Sequence, residues 1–158
     1  MRKNPPLEKV AEALSAVADS RVRMHEDYAL VASSNRSKEY TVRWKDDEYT
    51  SNDSATYWQQ YAGYPVIAVL LLQGRLAFDR DLATQFAGIN WTELNKKHKR
   101  NYAAALAEVL QSIEARGGDT GSLTAEMSAI YTALTALPIT IGRGAARPAK
   151  TKAANATG

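Results

Sequence analysis

Residues 39–51, EYTVRWKDDEYTS, are the clearest indication of the fold of this chain, because two short aromatic and β-branched runs flank a polar centre. The apolar residues of the first run stand at every second position, at Tyr40, Val42 and Trp44. This period of two is typical of a strand with one apolar face. The polar residues 45–47 supply a turn, and Glu48–Ser51 returns as the next strand. The segment therefore predicts an antiparallel hairpin.

Two further strands are predicted before this hairpin. Residues 22–24 and 28–32 are β-branched or aromatic segments, and the turn-forming run SSNRS at residues 33–37 separates them from the hairpin. Nearer the amino terminus, apolar residues recur at the spacing of one buried helical stripe, at Leu7, Val10, Ala11, Leu14 and Val17. We therefore predict a helix over residues 6–19, followed by a small antiparallel meander.

After the meander the pattern becomes helical. Asp53 or Ser54 caps a first short helix. Residues 66–73 predict a buried helix, which Gly74 closes at the left-handed cap position. Asp79 caps one more short helix.

Two longer helices are predicted in the last third of the chain. One begins at Thr92 and runs to about residue 115, and the other begins at Ser122 and is stopped by Pro138. Each carries one apolar stripe, and the glycine-rich residues 116–121 join them into a helical hairpin. The stripes must be buried either on the meander or against a second chain, and the sequence leaves both alternatives open.

These elements predict an α+β fold with an N-terminal helix, a small antiparallel β-meander with short helices, a C-terminal helical hairpin and a disordered basic tail. We expect an α+β unit over residues 1–91, the hairpin over residues 92–141 and the tail over residues 142–158. The tail is expected to be disordered because its Ala, Thr, Gly, Asn and Pro residues bury too little apolar surface to offset the entropy of ordering.

The composition excludes several classes of protein. The chain has no cysteine, which excludes disulfides, thiolate zinc sites and cysteine nucleophiles. Its longest apolar run, residues 66–72, is far shorter than the roughly 20 residues of a membrane-spanning helix, so no membrane partner is expected. No apolar stretch follows the positively charged start, and we therefore expect no secretory signal peptide and a cytoplasmic location.

Basic residues form two clusters, although the formal net charge is only +3. Residues 142–158 contain no acid, and their basic residues are Arg143, Arg147, Lys150 and Lys152. The second cluster lies in the predicted long helix and consists of Lys96, Lys97, Lys99 and Arg100. One interpretation is a solubilising surface, and the other is contact with the phosphates of a nucleic acid. Under the second interpretation, these residues are the candidate nucleic-acid-binding site.

Residues 21–76 resemble the SWIM zinc finger family. The segments that carry the resemblance are YTV at 40–42, YTSND at 49–53, YWQQY at 57–61 and GYPVIAVLL at 63–71. The family carries Cys-x-Cys in the second of these segments, and Cys-x-His in the fourth, immediately before an apolar helix of the same kind. The matching positions here hold Ser51 and Asp53, then Gly63 and Pro65.

Every family ligand is therefore replaced, and Asp53 alone retains a group that zinc could bind. The resemblance implies a zinc-free scaffold with no cofactor, in which the folding energy that zinc normally supplies comes from elsewhere. We expect buried aromatic rings to supply it, and the candidates are Trp44, Tyr49, Tyr57, Trp58, Tyr61 and Tyr64. SWIM modules are DNA-binding or protein-interaction modules, so the resemblance implies binding and not catalysis.

No catalytic or metal-binding pattern is legible in the sequence. Residues 46–48 and Asp53 are acidic, but their spacing is not that of a calcium loop, and Asp46 and Asp47 are explained by the turn. His25 and His98 have no partner at ligand spacing. We therefore expect neither an enzyme nor a metal site.

The leading hypothesis is a non-enzymatic protein that binds nucleic acid, with DNA as the first candidate, through phosphate contacts that are largely independent of sequence. Assembly of several copies on the nucleic acid is compatible with this hypothesis. The alternative is a structural or protein–protein interaction subunit that forms a homo-oligomer, or binds a partner protein, through its C-terminal helices.

Overall fold

The secondary structure follows the predicted order. The computed structural model describes residues 3–144. Its helices are α1 (Glu8–Ala18), α2 (Ser54–Gln59), α3 (Tyr64–Leu72), α4 (Arg80–Thr84), α5 (Trp91–Lys97), α6 (Tyr102–Ala115) and α7 (Thr120–Ala136). Its strands are β1 (Val22–Met24), β2 (Tyr28–Ala32), β3 (Glu39–Lys45), β4 (Glu48–Ser51) and β5 (Thr140–Ile141). The α+β class is confirmed, and the predicted tail lies outside the described residues from residue 145 onward.

The meander is confirmed, and the sheet contains one strand that the sequence pattern did not indicate. The strands lie in the order β1-β2-β3-β4-β5. The neighbours from β1 to β4 are antiparallel, whereas β5 pairs in parallel with β4 and places Ile141 opposite Tyr49. A strand as short as β5 has no readable period, so the pairing alone reveals it.

One face of the sheet is buried under helices. The buried side chains of β2, β3 and β4 alternate along each strand, at Ala29, Val31, Tyr40, Val42, Tyr49 and Ser51. Helix α3 packs on this face and against α1. Because α3 is apolar on every side, it is buried along almost its whole length. Neither α3 nor any other helix in residues 3–144 is long and apolar enough to cross a membrane.

The predicted long helix over residues 92–115 is wrong, because two helices occupy that range. Helix α5 ends at Lys97, and Lys99 and Arg100 have left-handed φ angles of 52° and 66°, which an α-helix cannot contain. The side chain of Asn101 then accepts a hydrogen bond from the N–H of Ala104 at 3.1 Å and caps α6. This local cap satisfies a free N–H at a new helix start, which favours the break.

Two predicted helix starts are also corrected. Helix α7 is capped by Asp119, whose carboxylate accepts a hydrogen bond from the N–H of Ser122 at 3.0 Å, so that Ser122 lies inside the first turn. Helix α5 is capped by Asn90 in place of Thr92. In both cases the Asp or Asn side chain, and not the downstream hydroxyl, bonds the free N–H group.

Residues 1–91 and 92–141 contribute to one apolar core within the described range. The buried residues of the last two helices are Ala105, Leu106, Val109, Ile113, Leu123, Met127, Ile130 and Leu134. Helices α6 and α7 pack against α1, and α7 also packs against α4. The sequence left the meander or a second chain as the surface that buries these stripes, whereas the structure shows burial within the chain against the helices α1 and α4.

Candidate nucleic-acid interface

Arg143, one of the predicted site residues, is placed by the pairing of β5 with β4. The backbone N–H of Gly142 donates to the carbonyl oxygen of Tyr49 at 2.9 Å and keeps the chain alongside β4. The Nε of Arg143 then donates to the carbonyl oxygen of Tyr57 on α2 at 3.3 Å. The tertiary pairing therefore brings this cation to α2.

The guanidinium of Arg143 contacts two aromatic rings of α2. Its central carbon lies 5.0 Å from the ring centroid of Tyr57 and 5.7 Å from that of Trp58, within the range of cation–π attraction. The two rings meet edge to face, with centroids 4.6 Å apart and planes inclined by 78°. We call Tyr57, Trp58 and Arg143 the α2 platform.

Trp58 is the exposed aromatic ring of the α2 platform. Its exposed fraction is 51%, whereas Tyr57 is buried. Consecutive residues of a helix point about 100° apart, so the packing that buries Tyr57 turns Trp58 outward. The expectation that Trp58 is buried with the other aromatic residues of this region is therefore wrong, although Tyr49, Tyr57 and Tyr64 are buried.

A second cation and a third ring adjoin α2. The Nζ of Lys3 donates to the Oε1 of Gln59 at 3.3 Å and lies 5.9 Å from the ring centroid of Tyr61. Lys3 and Gln59 are exposed, and Tyr61 is half-buried. The surface of α2 and the residues just after it is therefore aromatic, with Arg143 against Tyr57 and Trp58 and Lys3 against Gln59 and Tyr61.

Lys9 connects this region to the start of α6. Its Nζ lies 4.3 Å from the ring centroid of Tyr102 and 3.7 Å from a carboxylate oxygen of Glu12. Burial lowers the pKa of Lys9, but the charge of Glu12 and the phenol groups of Tyr102 and Tyr61 more than offset this effect, and the pKa lies above its usual value. Lys9 is therefore a buried cation that contacts the ring of Tyr102 and pairs with Glu12.

The predicted basic cluster is exposed at the end of α5 and in the turn to α6. Its members are Lys96, Lys97, Lys99 and Arg100. The Nζ of Lys97 lies 2.9 Å from the Oε1 of Glu108 on α6, and the Nε2 of His98 lies 2.9 Å from the same oxygen. The other three cations pair with no acidic side chain among residues 3–144.

Electrostatics distinguishes these three cations from Lys97, and backbone geometry also distinguishes Lys99 and Arg100. Hydrogen bonds from Lys97 and then from His98 hold the pKa of Glu108 below its usual range, so this carboxylate stays charged and compensates Lys97. The left-handed backbone of Lys99 and Arg100 costs of the order of 1–3 kcal/mol per residue. A hydrogen bond of 2.7 Å from the N–H of Arg100 to the carbonyl oxygen of Asn95 helps to hold the turn.

Three of the four positions that match zinc ligands in the resemblance, Ser51, Asp53 and Gly63, meet in one buried network. The Oγ of Ser51 donates to the Oδ1 of Asp53 at 2.5 Å, and the N–H of Thr56 donates to the Oδ2 of Asp53 at 3.0 Å. The N–H of Gly63 donates to the Oγ1 of Thr56 at 2.9 Å. Pro65 lies in the first turn of α3. These hydrogen bonds connect β4, α2 and the start of α3.

This network does not fit a zinc ion. Structural zinc takes four Cys or His ligands in most proteins, whereas the network offers one carboxylate and two hydroxyl groups that already bond that carboxylate or the backbone. Within residues 3–144, no group of three or more His, Cys, Asp or Glu side chains could hold a metal ion.

A cleft of about 280 Å³ lies beside the end of α1, between the β2–β3 turn and the loop before α5. Arg21 and Arg36 line it together with Asp19, but their groups contact the surrounding chain. The Nη1 of Arg21 donates to the carbonyl oxygen of Ala32 at 2.7 Å, and the Nη2 of Arg36 donates to that of Asp19 at 3.2 Å. These contacts hold the turn against α1.

The structure therefore places five of the predicted site residues on its surface, in two groups. Arg143 lies at α2, and the cluster of residues 96–100 lies between α5 and α6. The predicted site residues Arg147, Lys150 and Lys152 lie outside the described residues. Sequence reasoning missed Lys3 and the exposure of Trp58. The signal that could have revealed Trp58 is the pair of adjacent aromatic residues in a short helix, since such a helix buries only one of them.

No curated protein matches this chain, and no solved structure matches it. A family model does match, over residues 2–140, and its description is "Uncharacterised conserved protein UCP014422". This match covers most of the chain, and the protein therefore belongs to the family of the Uncharacterised conserved protein UCP014422.

Proposed function

We propose that this protein binds nucleic acid through phosphate contacts that are largely independent of sequence, and that it is not an enzyme. The observation that carries the proposal is a set of exposed cations without a carboxylate partner among residues 3–144, namely Lys96, Lys99, Arg100 and Arg143. An exposed cation that no acid compensates is free to replace a counterion of the phosphate backbone. Such contacts position a nucleic acid but do not read its bases.

The proposal also concerns the family relationship of residues 21–76. We regard residues 21–76 as a zinc-free relative of the SWIM zinc finger, in which hydrogen bonds of Ser51, Asp53 and Thr56 connect the elements that a metal joins in that family. The relationship is supported by the network in which three of the four matching positions, Ser51, Asp53 and Gly63, come together.

The interaction-subunit alternative finds less support. It relied on the apolar stripes of the C-terminal helices, and these stripes are buried inside the chain. Among the described residues, the large apolar side chains that are exposed are Met24 and Trp58, and neither belongs to those helices. An oligomer would need a different surface.

A charge-removal variant tests the proposal. We expect the triple variant Lys96→Gln, Lys99→Gln, Arg100→Gln to bind labelled DNA about tenfold more weakly at low salt, because up to three phosphate contacts are lost. The slope of log K against log salt should become shallower by about 0.9 for each lost contact with duplex DNA. Fluorescence anisotropy across a salt series measures both quantities.

The matched control removes three exposed cations from other elements, with Arg43→Gln, Lys45→Gln and Arg80→Gln in one chain. We expect it to reduce affinity and slope less than the first triple variant does. Equal losses in the two variants would show that net charge alone attracts the DNA, and absence of binding by the wild-type protein at low salt would contradict the proposed function.

A further inference from the structure

We infer that the α2 platform stacks an unpaired base on Trp58, so that the protein prefers single-stranded to duplex nucleic acid. This inference rests on the proposed nucleic-acid binding and narrows it to a ligand class. Its basis is a juxtaposition: an exposed indole ring lies beside the guanidinium of Arg143, 5.7 Å from the ring centroid.

The exposure of Trp58 contrasts with the burial of Trp91. Trp91 is 3% exposed, and its Nε1 donates to the Oγ of Ser15 at 2.8 Å, so that ring is built into the core. Trp58 instead leaves about half of its surface in water. Exposing that much apolar surface costs folding energy, and an exposed aromatic ring is the surface on which single-stranded ligands stack.

The ring of Trp58 is also held in one orientation. Tyr57 meets it edge to face from the buried side, and Arg143 contacts both rings while its Nε is bonded to the Tyr57 carbonyl oxygen. A ring that is oriented before binding loses little conformational entropy when a base stacks on it. The platform is therefore preorganised for a flat ligand.

Charge at this surface favours an anionic ligand, such as a nucleic acid, over an apolar peptide. Helix α2 has the sequence SATYWQ and contains no acid, and the carboxylate of its cap, Asp53, is buried and engaged by Ser51 and Thr56. Arg143 and Lys3 flank the helix on the outside. Aromatic rings beside cations are the arrangement that binds single strands without reading their sequence.

Duplex DNA cannot use this platform in the same way. Its bases are already stacked and paired, so they reach Trp58 only after unstacking, which costs a few kcal/mol for each base. Single strands present their bases without that cost. The platform therefore adds affinity for single strands, while the cations of residues 96–100 attract both forms.

The experiment compares a labelled oligothymidylate with a duplex of the same length, using the full chain and fluorescence anisotropy at one salt concentration. We expect Trp58→Ala to weaken single-strand binding about tenfold or more and duplex binding less than threefold. Trp58→Phe should retain most of the single-strand affinity, because a ring remains. Arg143→Lys should keep the salt slope but lose part of the single-strand affinity, because the charge stays and the planar group goes.

Met24→Ala is the matched control, since Met24 is the other exposed large apolar side chain in the described range, and it lies on β1. We expect this variant to bind like the wild type. Quenching of tryptophan emission by oligothymidylate gives a second readout, and it should decrease in Trp58→Phe, because the two remaining tryptophans are the buried Trp91 and the half-buried Trp44.

The outcomes separate this inference from the function on which it rests. If single strands and duplex bind equally and Trp58→Ala weakens neither, the inference is overturned, the proposed function stands, and Trp58 belongs to a surface for another class of partner, such as a protein. If neither single-stranded nor duplex DNA binds at low salt, the proposed function itself is contradicted, and the inference about Trp58 falls with it.

Discussion

Tyr40 and Tyr64 meet edge to face under the sheet, with ring centroids 6.3 Å apart. Burial is the main reason that the pKa of each phenol lies well above its ordinary value, and nearby charges such as Asp53 and Glu12 raise it further. The buried hydroxyl of Tyr40 has no hydrogen-bond partner among the described residues. At the residue scale, these phenols therefore contribute a pH-dependent part of the stability.

The sign of that dependence follows from the direction of the shift. A phenol whose folded-state pKa is raised contributes stability that is fully present below its unfolded pKa of about 10, and that is lost as the pH rises towards the folded-state pKa. We expect the free energy of unfolding to fall above about pH 10. Tyr40→Phe should reduce this fall, and at pH 7 it should change the stability by less than about 1 kcal/mol because no hydrogen bond is lost.

Urea unfolding at pH 8 and pH 11 measures the effect, and phenolate absorbance in the native protein provides an independent check. If every tyrosine ionises near pH 10 without unfolding, the two buried phenols are not shielded as the structure requires.

At the scale of elements, the network of Ser51, Asp53, Thr56 and Gly63 determines how β4, α2 and α3 meet. A Cβ atom at Gly63 would collide with the Oδ2 of Asp53 and would lie 2.8 Å from the Oγ1 of Thr56. The φ angle of Gly63 is −72°, which any residue adopts. Close packing, and not backbone conformation, therefore requires glycine at this position.

We expect Gly63→Ala to destabilise the protein by about 1–3 kcal/mol, because the added methyl group overpacks a buried site. The matched control is Gly121→Ala in α7, where the nearest atom to the added Cβ is 3.4 Å away. This second change should stabilise the protein by up to about 1 kcal/mol, because alanine favours a helix more than glycine does. Thermal or urea unfolding measures the stability of both variants. A Gly63→Ala variant as stable as the wild type would contradict the close packing of Gly63 against Asp53 and Thr56.

At the scale of the whole molecule, one core connects elements that are far apart in the sequence. Helix α1 packs against α3, α4, α6 and α7. The hydroxyl of Tyr131 on α7 donates to the carbonyl oxygen of Pro5 at 2.8 Å, which joins α7 to the segment before α1. The predicted parts 1–91 and 92–141 therefore depend on each other for burial.

We expect residues 1–91 and 92–141 to unfold in a single cooperative transition, since neither part buries its apolar residues alone. Tryptophan emission and far-ultraviolet circular dichroism should give the same midpoint in urea. Two separate midpoints, or a stable folded fragment of residues 1–91, would contradict this expectation.

Most of the helices and strands are predictable from the sequence, because strand periods and helix caps act between neighbouring residues. The alternation of Tyr40 and Val42 predicted β3, and the side chains of Asp53 and Asp79 cap α2 and α4 as predicted. Even the break between α5 and α6 has a local cause in Asn101, which the helical pattern of the flanking residues concealed.

Which surfaces remain exposed to a ligand depends on the tertiary structure. The pairing of β5 with β4 brings Arg143 to α2, although the two segments are far apart in the sequence. The choice between Tyr57 and Trp58 as the buried ring depends on what packs beneath α2, because both are large aromatic residues with the same propensity. Local propensities determine which elements form, whereas long-range packing determines which side chains remain in water.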